Sequence, residues 1–401
     1  MRRIKNCIPV FLAVLLLSCS TGRRVAYDRL PTEAEMREQD ILGLEQWGRL
    51  LLRVLDKEKD AENVCVSPLS AQMALSMAAA GATGTTQEEI YHVMRLTGDA
   101  NATNRSILET MNEDNRCEVK LANSIWINEK LDVKESFIDT GKEYYNALVT
   151  TAPFNKATLE RINGWCSDNT GGRIRSILNE IKKNDMMYLI NALYFKGAWK
   201  DKFSRSLTSN RPFTTEAGKS VEVEMMQQTV RTVYYEDEQL QMASMSFNGG
   251  YKMILALPRE ESSIEDAILH LAANYSACLT NMSTYNVELY LPKFRSEFST
   301  SLKEPLRRMG IEKAFGSEAE FSAISESPLN IDNVIQKTYI SVDEDGAEAS
   351  AATAISMSLL SSGRQLETRT MNINRPFIYL ITDATGENVL FAGKVGNPRG
   401  K

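Results

Sequence analysis

Between residues 341 and 360 (SVDEDGAEASAATAISMSLL) apolar and polar side chains take turns once a glycine has been passed. Every second position from Ala347 reads Ala347, Ala349, Ala351, Thr353, Ile355, Met357 and Leu359, and the interleaved set is Glu348, Ser350, Ala352, Ala354, Ser356 and Ser358. A period of two puts one row on each face of an extended chain, which is the pattern of a half-buried strand. The surroundings do not suit a strand, because Ala, Ser and Gly are weak strand formers and the following SSGRQ is loop composition. The segment therefore reads either as an Ala/Ser linker or as a loop that becomes a strand when a sheet opens to receive it. In the second reading the small residues beside Gly346 lead, since entry between two strands is least hindered where side chains are smallest. Upstream, the chain begins as a strand and meets Asp343, Glu344 and Asp345; as strand neighbours, Asp343 and Glu344 would face opposite sides.

Elsewhere the hydrophobic period switches between helix and strand. Ile41, Leu44, Leu51, Leu52, Val54 and Leu55 fall at helical spacing among charges and predict an amphipathic helix over 35–57. Val64, Cys65 and Val66 predict a short buried strand, Ser67 and Pro68 a helix entry, and residues 71–80 a helix of small residues suited to close packing. The GATGTT that follows invites a phosphate-loop reading, but it lacks the Gly-Lys-Ser/Thr ending and a preceding strand. It is read as a capping turn, with Thr85 or Thr86 capping a helix over 87–95. Strands are expected at 119–128, 188–195 and 219–227, and again in LQMASMSF, GGYKMILALP and YNVELYLPKF; helices are expected at 264–279 and 302–309. NRPFIYLITDATGENVLFAGKVGNP predicts a hairpin joined at DATGEN. Helices dominate the first half and strands the second, with no linker dividing them, so the expected architecture is a single α+β domain.

Composition narrows the function. With 43% hydrophobic and 24% charged residues in 401, the chain can bury a substantial core. A net charge of −6 and the absence of any long basic run argue against nucleic acid as a partner and against acidic substrates. The start, MRRIKNCIPVFLAVLLLSCS, has a basic head and an apolar run over 8–17, the pattern of a secretory signal rather than a membrane span. Leu16, Leu17, Ser18 and Cys19 match a bacterial lipobox, which implies cleavage before a lipidated Cys19. The expected organisation is a signal peptide over 1–18, a tether over 19–37 and one domain over 38–401, held at a membrane on the periplasmic or cell-surface side. Cys65, Cys117, Cys166 and Cys278 are widely spaced without a CxxC pair and are expected as buried free thiols.

No catalytic or cofactor chemistry emerges. His92 and His270 sit on expected amphipathic helices, no G-x-S-x-G elbow is present, and neither HExxH nor a clustering of Cys and His in sequence suggests zinc. No enzyme activity, metal or cofactor is expected.

Several ordered stretches together resemble the serpin family over nearly the whole mature chain. They are NVCVSPLSAQMALSMAAAGATGTT, YLINALYFKGAWKDKF with Asn191 and Trp199, ELYLPKF, LKEPLRRMGIEKAF and the terminal hairpin, while DEDGAEASAAT resembles the hinge of inhibitory members. The resemblance implies an α+β serpin domain with a large central mixed sheet, further sheets, about eight or nine helices and an exposed reactive loop. It implies a suicide substrate: a serine protease, or a cysteine protease, cleaves the loop, is held as an acyl-enzyme, and is carried across the domain as the loop inserts into the central sheet. Fourteen inserted residues would span roughly 45 Å at about 3.3 Å each. The alternative is a non-inhibitory member acting as a binding or chaperone module.

Residue by residue, the resemblance assigns the hinge to Glu344, Gly346, Ala347, Ala349, Ala351 and Thr353, pairs Glu344 with Lys293, and puts the scissile bond between Leu360 and Ser361. Met357, Leu359 and Arg364 remain alternatives, because the stretch from Leu360 to Pro376 is longer than in many members. An apolar Leu360 implies chymotrypsin-like or elastase-like proteases as partners. Ser67, Asn191 and Gln336 match the polar positions of the sheet-opening region, with Gln336 standing where most members carry histidine. Few basic residues lie between 103 and 120, so no heparin-type activator is expected, and the expected state is a monomer.

Overall fold

Residues 45–113, 116–347 and 366–400 are described by a computed structural model. Cys19 and the tether, and all of the alternating segment beyond Ala347, fall outside these described residues. The early helical periods fold as α1 (Gln46–Lys57), α2 (Pro68–Ala80), α3 (Gly84–Val93), α4 (Ala100–Glu113), α5 (Glu135–Tyr145) and α6 (Lys156–Asn169). Between them run β1 (Asn63–Val66), β2 (Cys117–Asn128) and β3 (Leu148–Ala152). Strands then dominate: β4 (Met187–Ala198), β5 (Ser209–Thr214), β6 (Ser220–Glu236), β7 (Leu240–Ser246) and β8 (Lys252–Pro258) precede α7 (Ile264–Asn281). The chain closes with β9 (Ser283–Pro292), β10 (Phe294–Ser301), α8 (Lys303–Arg308), β11 (Asn333–Val342), β12 (Gly346–Ala347), β13 (Thr368–Asn372), β14 (Phe377–Thr382) and β15 (Val389–Val395).

α2 shows why the chain folds as it does. Its sequence PLSAQMALSMAAA has almost no polar side, so it is enclosed on all sides rather than laid on a surface. Ser67 caps it by accepting from the Ser70 N–H at 3.2 Å, and Pro68 occupies the first turn, where no backbone donor is needed. The next helix differs from expectation. It begins at Gly84, and Thr83, in extended conformation, is its cap position; Thr85 and Thr86 lie inside the first turn. Thr86 is taken by a tertiary contact, its hydroxyl accepting from the Glu320 N–H at 3.0 Å.

Two sheets organise these elements. The larger runs β1-β15-β14-β8-β7-β6-β9-β13 with β5 paired to β6, and it contains the expected terminal hairpin, β14 and β15, in antiparallel register. β6 continues well past the expected end at residue 227, pairing β5 from Ser220 to Met225, β9 from Met225 to Tyr234 and β7 from Tyr234 to Glu236. The larger sheet is antiparallel except where β13 runs parallel to β9, and the second sheet mixes the two senses throughout. β10 and β11 are antiparallel, β11 and β4 parallel, β4 and β2 antiparallel, and β2 and β3 parallel. One face of this sheet carries an apolar cluster that joins Ile162 and Cys166 of α6 to Trp126 of β2, Tyr188, Ile190 and Tyr194 of β4, and Ile335 and Tyr339 of β11. The opposite face looks towards α2.

Cys65, Cys117, Cys166 and Cys278 are free and buried, as expected. Among the described residues, no helix is long and apolar enough to cross a membrane.

Candidate functional site

β4 and β11 lie side by side in register from Asn333 opposite Tyr188 to Tyr339 opposite Tyr194. Beyond Tyr194 and Tyr339 the pairing stops and the strands part. The gap is filled by two residues, Gly346 and Ala347, which pair with both neighbours at once: Ala347 with Val342 on β11, and Gly346 and Ala347 with Ala198 and Gly197 on β4. A third strand is thus already started between two parallel ones. Gly346 adopts φ +147°, and a Cβ built on it would stand 2.1 Å from the Gly197 carbonyl oxygen, so only glycine fits this approach. Ala347 is fully buried, which requires a small side chain.

The chain reaches this wedge through a tight turn rather than a straight strand, which corrects the expectation that Asp343 and Glu344 face opposite sides. Asp343 Oδ1 accepts from the N–H groups of Asp345 at 2.8 Å and Gly346 at 3.3 Å, a side chain closing a turn over its own backbone. Each carbonyl of the turn is then met from the segment after β4. Trp199 Nε1 donates to Asp343 O at 2.9 Å, Trp199 N to Asp345 O at 2.9 Å and Phe203 N to Glu344 O at 3.1 Å. The Trp199 ring is held by stacking on Phe247, with centroids 4.2 Å apart.

The remaining carboxylates are paired with cations. Glu344 Oε1 lies 3.0 Å from Lys293 Nζ and accepts from the Thr208 hydroxyl at 2.8 Å, while Lys293 also reaches Glu224 at 2.9 Å. Asp345 lies 2.9 Å from Lys202 and is bonded by Arg205 through its other oxygen. Burial opposes the charge on Glu344, but Lys293, its own backbone N–H and Thr208 overcome it and hold the carboxyl below the ordinary range. Asp345 is held low chiefly by Lys202, against burial and with the help of Arg205.

Further down the seam three amide side chains form a row across three strands, Gln336 of β11 opposite Asn191 of β4 opposite Asn123 of β2. Each is about 1% exposed. Gln336 donates through Nε2 to Ser67 O at 2.8 Å and accepts through Oε1 from Ser67 N at 2.7 Å, clamping β11 to the entry of α2. Asn191 is not bonded to Ser67. Its Oδ1 accepts from the Ser70 hydroxyl, and its Nδ2 donates to Asn123 Oδ1 and, at 3.4 Å, to Ser70 O. Thr338 adds a bond to Cys65 O at 2.9 Å. Every one of these contacts ties a seam strand to β1, α2 or β2 rather than seam strand to seam strand.

Of the residues singled out from sequence, Ser67, Asn191, Lys293, Gln336, Glu344, Gly346 and Ala347 fall at this seam or its upper end. Ala349, Ala351, Thr353, Met357, Leu359, Leu360, Ser361 and Arg364 lie outside the described residues. Ser70, Asn123 and Thr338 beside the seam, and Lys202, Arg205 and Thr208 around the turn, escaped the sequence reading. Their contacts depend on register and on partners at least 68 positions away. His92 is exposed on α3, and His270 is half-buried on α7.

The family model described as serpin (serine protease inhibitor) matches residues 44–398. An uncharacterised serpin-like protein of Thermococcus kodakarensis is 33% identical over 347 residues, covering 84% of this chain and 81% of its own. Human alpha-1-antichymotrypsin is 30% identical over 366 residues, covering 88% and 85%. The crystal structure of tengpin, a thermophilic serpin in the native state, superposes with a TM-score of 0.81 at 29% identity, over 92% of this chain and 96% of that one.

Proposed function

The chain belongs to the serpin family, whose members are generally serine protease inhibitors and not enzymes, and from that premise we propose that this protein traps proteases by inserting its cleaved loop into the seam between β4 and β11. The observation that carries the reading is the double pairing of Gly346 and Ala347, which puts the first residues of a new strand at the open end of a parallel seam. A strand extended from them would replace one parallel pairing by two antiparallel ones, which are slightly more stable per residue and would pair the backbone groups of the inserted residues with the sheet. The side chains that would alternate inward, Ala349, Ala351 and Thr353, are small enough to pass. Loop insertion into a sheet is the β-strand-addition mode of recognition applied within one chain.

In this reading Leu360 supplies the side chain that enters the protease pocket, so chymotrypsin-like and elastase-like enzymes are the prey, with cysteine proteases as a second class. Cys19 carries a lipid that anchors the protein at a membrane surface, on the outer side of the membrane that it crosses on export.

Incubation with chymotrypsin, elastase and trypsin tests this. A complex with chymotrypsin or elastase that survives denaturing gel electrophoresis, a peptide beginning at Ser361, and a large rise in thermal stability after cleavage are expected. Leu360→Arg is expected to move complex formation to trypsin. Cleavage with no covalent complex and an unmoved melting temperature would point to the non-inhibitory binding module instead.

A further inference from the structure

Away from the seam, the end of β6 meets α7 through a mixed set of ligand-bearing side chains. Asp237 follows β6 directly, and its Oδ2 lies 2.8 Å from His270 Nε2. His270 and Cys278 are eight residues apart on α7, about 12 Å along the axis and about 80° around it. Their side chains nevertheless converge, and Asp237 joins them from the end of β6, so that one ligand atom from each of Asp237, His270 and Cys278 lies within 4.8 Å of the others. Among the described residues this is the sole grouping of three His, Cys, Asp or Glu side chains so close together.

We propose that Asp237, His270 and Cys278 form a binding site for a divalent transition metal of the zinc class. The donor set, imidazole nitrogen, thiolate sulfur and carboxylate oxygen, is the one such ions take, whereas magnesium and calcium favour oxygen alone. The carboxylate is aimed in advance: Asp237 Oδ1 accepts from the N–H groups of Gln239 at 2.8 Å and Leu240 at 2.9 Å, which turns Oδ2 towards the helix. The Tyr235 hydroxyl, 2.9 Å from the same oxygen, stands beside the site as a further oxygen donor. Ligand atoms around a tetrahedral zinc lie about 3.3–3.8 Å apart, as bond lengths of about 2.0–2.3 Å require. The contact between His270 and Asp237 therefore opens by about half an ångström on binding while the sulfur draws inwards. His270 and Asp237 retain partial exposure, which gives the ion a way in, and Cys278 is buried behind them. Binding exchanges the thiol proton of Cys278, released to solvent, for the metal.

The test is a titration of the full-length, chelator-treated protein with cobalt(II), which reports a thiolate ligand by its charge-transfer band and tetrahedral geometry by its visible bands. We expect both signals, their displacement by zinc, and a zinc-dependent rise in melting temperature. His270→Gln and Cys278→Ser should each weaken cobalt binding at least tenfold, while an unchanged circular dichroism spectrum and a cooperative urea transition certify that the variants fold. Absence of a charge-transfer band, or a band that survives Cys278→Ser, overturns the proposal. It stands independently of the inhibitory reading, since no seam residue takes part.

Discussion

Gln336 and Ser67, 269 positions apart in the chain, form a closed ring of two hydrogen bonds in which the amide reads both the N–H and the C=O of one backbone residue. The clamp anchors β11, which must move relative to β4 if a strand is to enter, to the start of the buried helix α2. Gln336→Ala leaves the Ser67 N–H buried without its partner, while the Ser67 carbonyl keeps the Ala71 N–H of α2, and it is expected to lower stability by on the order of 1–3 kcal/mol. It is also expected to hasten spontaneous loss of inhibitory activity on warming. Urea unfolding and activity decay at a fixed temperature check the two effects, and an unchanged decay rate would show that the clamp does not gate the seam.

Gly346 can be probed by a single methyl group. Gly346→Ala places a Cβ against the Gly197 carbonyl in a backbone region that L residues rarely adopt, at a cost of about 1–3 kcal/mol. The expected outcome is that the wedge leaves the seam. Hydrogen exchange at the Ala347 amide should accelerate, and the fluorescence of Trp199, whose indole is bonded to Asp343 O, should shift.

Ala347 is fully enclosed between β11 and β4. Ala347→Arg puts a long charged side chain where no partner or water can reach it, so the wedge cannot advance. Under the proposed mechanism the variant becomes a substrate. The number of inhibitor molecules consumed per protease trapped should rise at least tenfold while the cleavage rate stays within about threefold. A stable complex formed at undiminished yield would refute insertion.

The tie between Glu344 and Lys293 has a defined pH window. Glu344 has a depressed folded pKa, so its contribution is present above the unfolded value of about 4.3 and is lost as pH falls through the folded value. Lys293 is raised, since Glu224 and Glu344 together outweigh burial; its contribution is complete below about 10.4 and is lost as pH rises through the folded value. Glu344→Gln should therefore cost on the order of 1–2 kcal/mol at neutral pH, and the difference from the unaltered protein should shrink on acidification below about pH 4. A gap that stays constant from pH 7 to pH 3 would assign the loss to packing rather than charge.

Much of this architecture could be read from local pattern, because local pattern is what specifies it. The apolar alternation of residues 119–128, the unbroken run of β4 and the terminal hairpin each announce themselves within a dozen residues. The seam does not. Asn191 and Gln336 become neighbours only because two strands separated by more than a hundred residues run parallel, and nothing near either residue specifies that adjacency. Ser67 was expected through its side chain, yet it serves the clamp through its backbone while the side chain caps α2. The acidic trio read as strand because the flanking β11 alternates; the hydrogen bonds of Asp343 to its own following amides turn it into a bend. His270 and Cys278 stand eight residues apart on one helix, and nothing local in the sequence marks that Asp237 joins them from the end of β6.

One consequence concerns time. The apolar packing of α6 spans residues of both β4 and β11, and Lys337 of β11 also donates to Ser176 O in the segment just beyond that helix. Under the proposed mechanism, a strand advancing from Ala347 would reach this bridged zone after only a few steps and could pass it only once the helix shears aside. Any pause there would fall in the interval when a tethered protease could still complete hydrolysis and depart, so under that mechanism loosening the grip of α6 should shift the balance from escape towards capture, and tightening it should do the reverse.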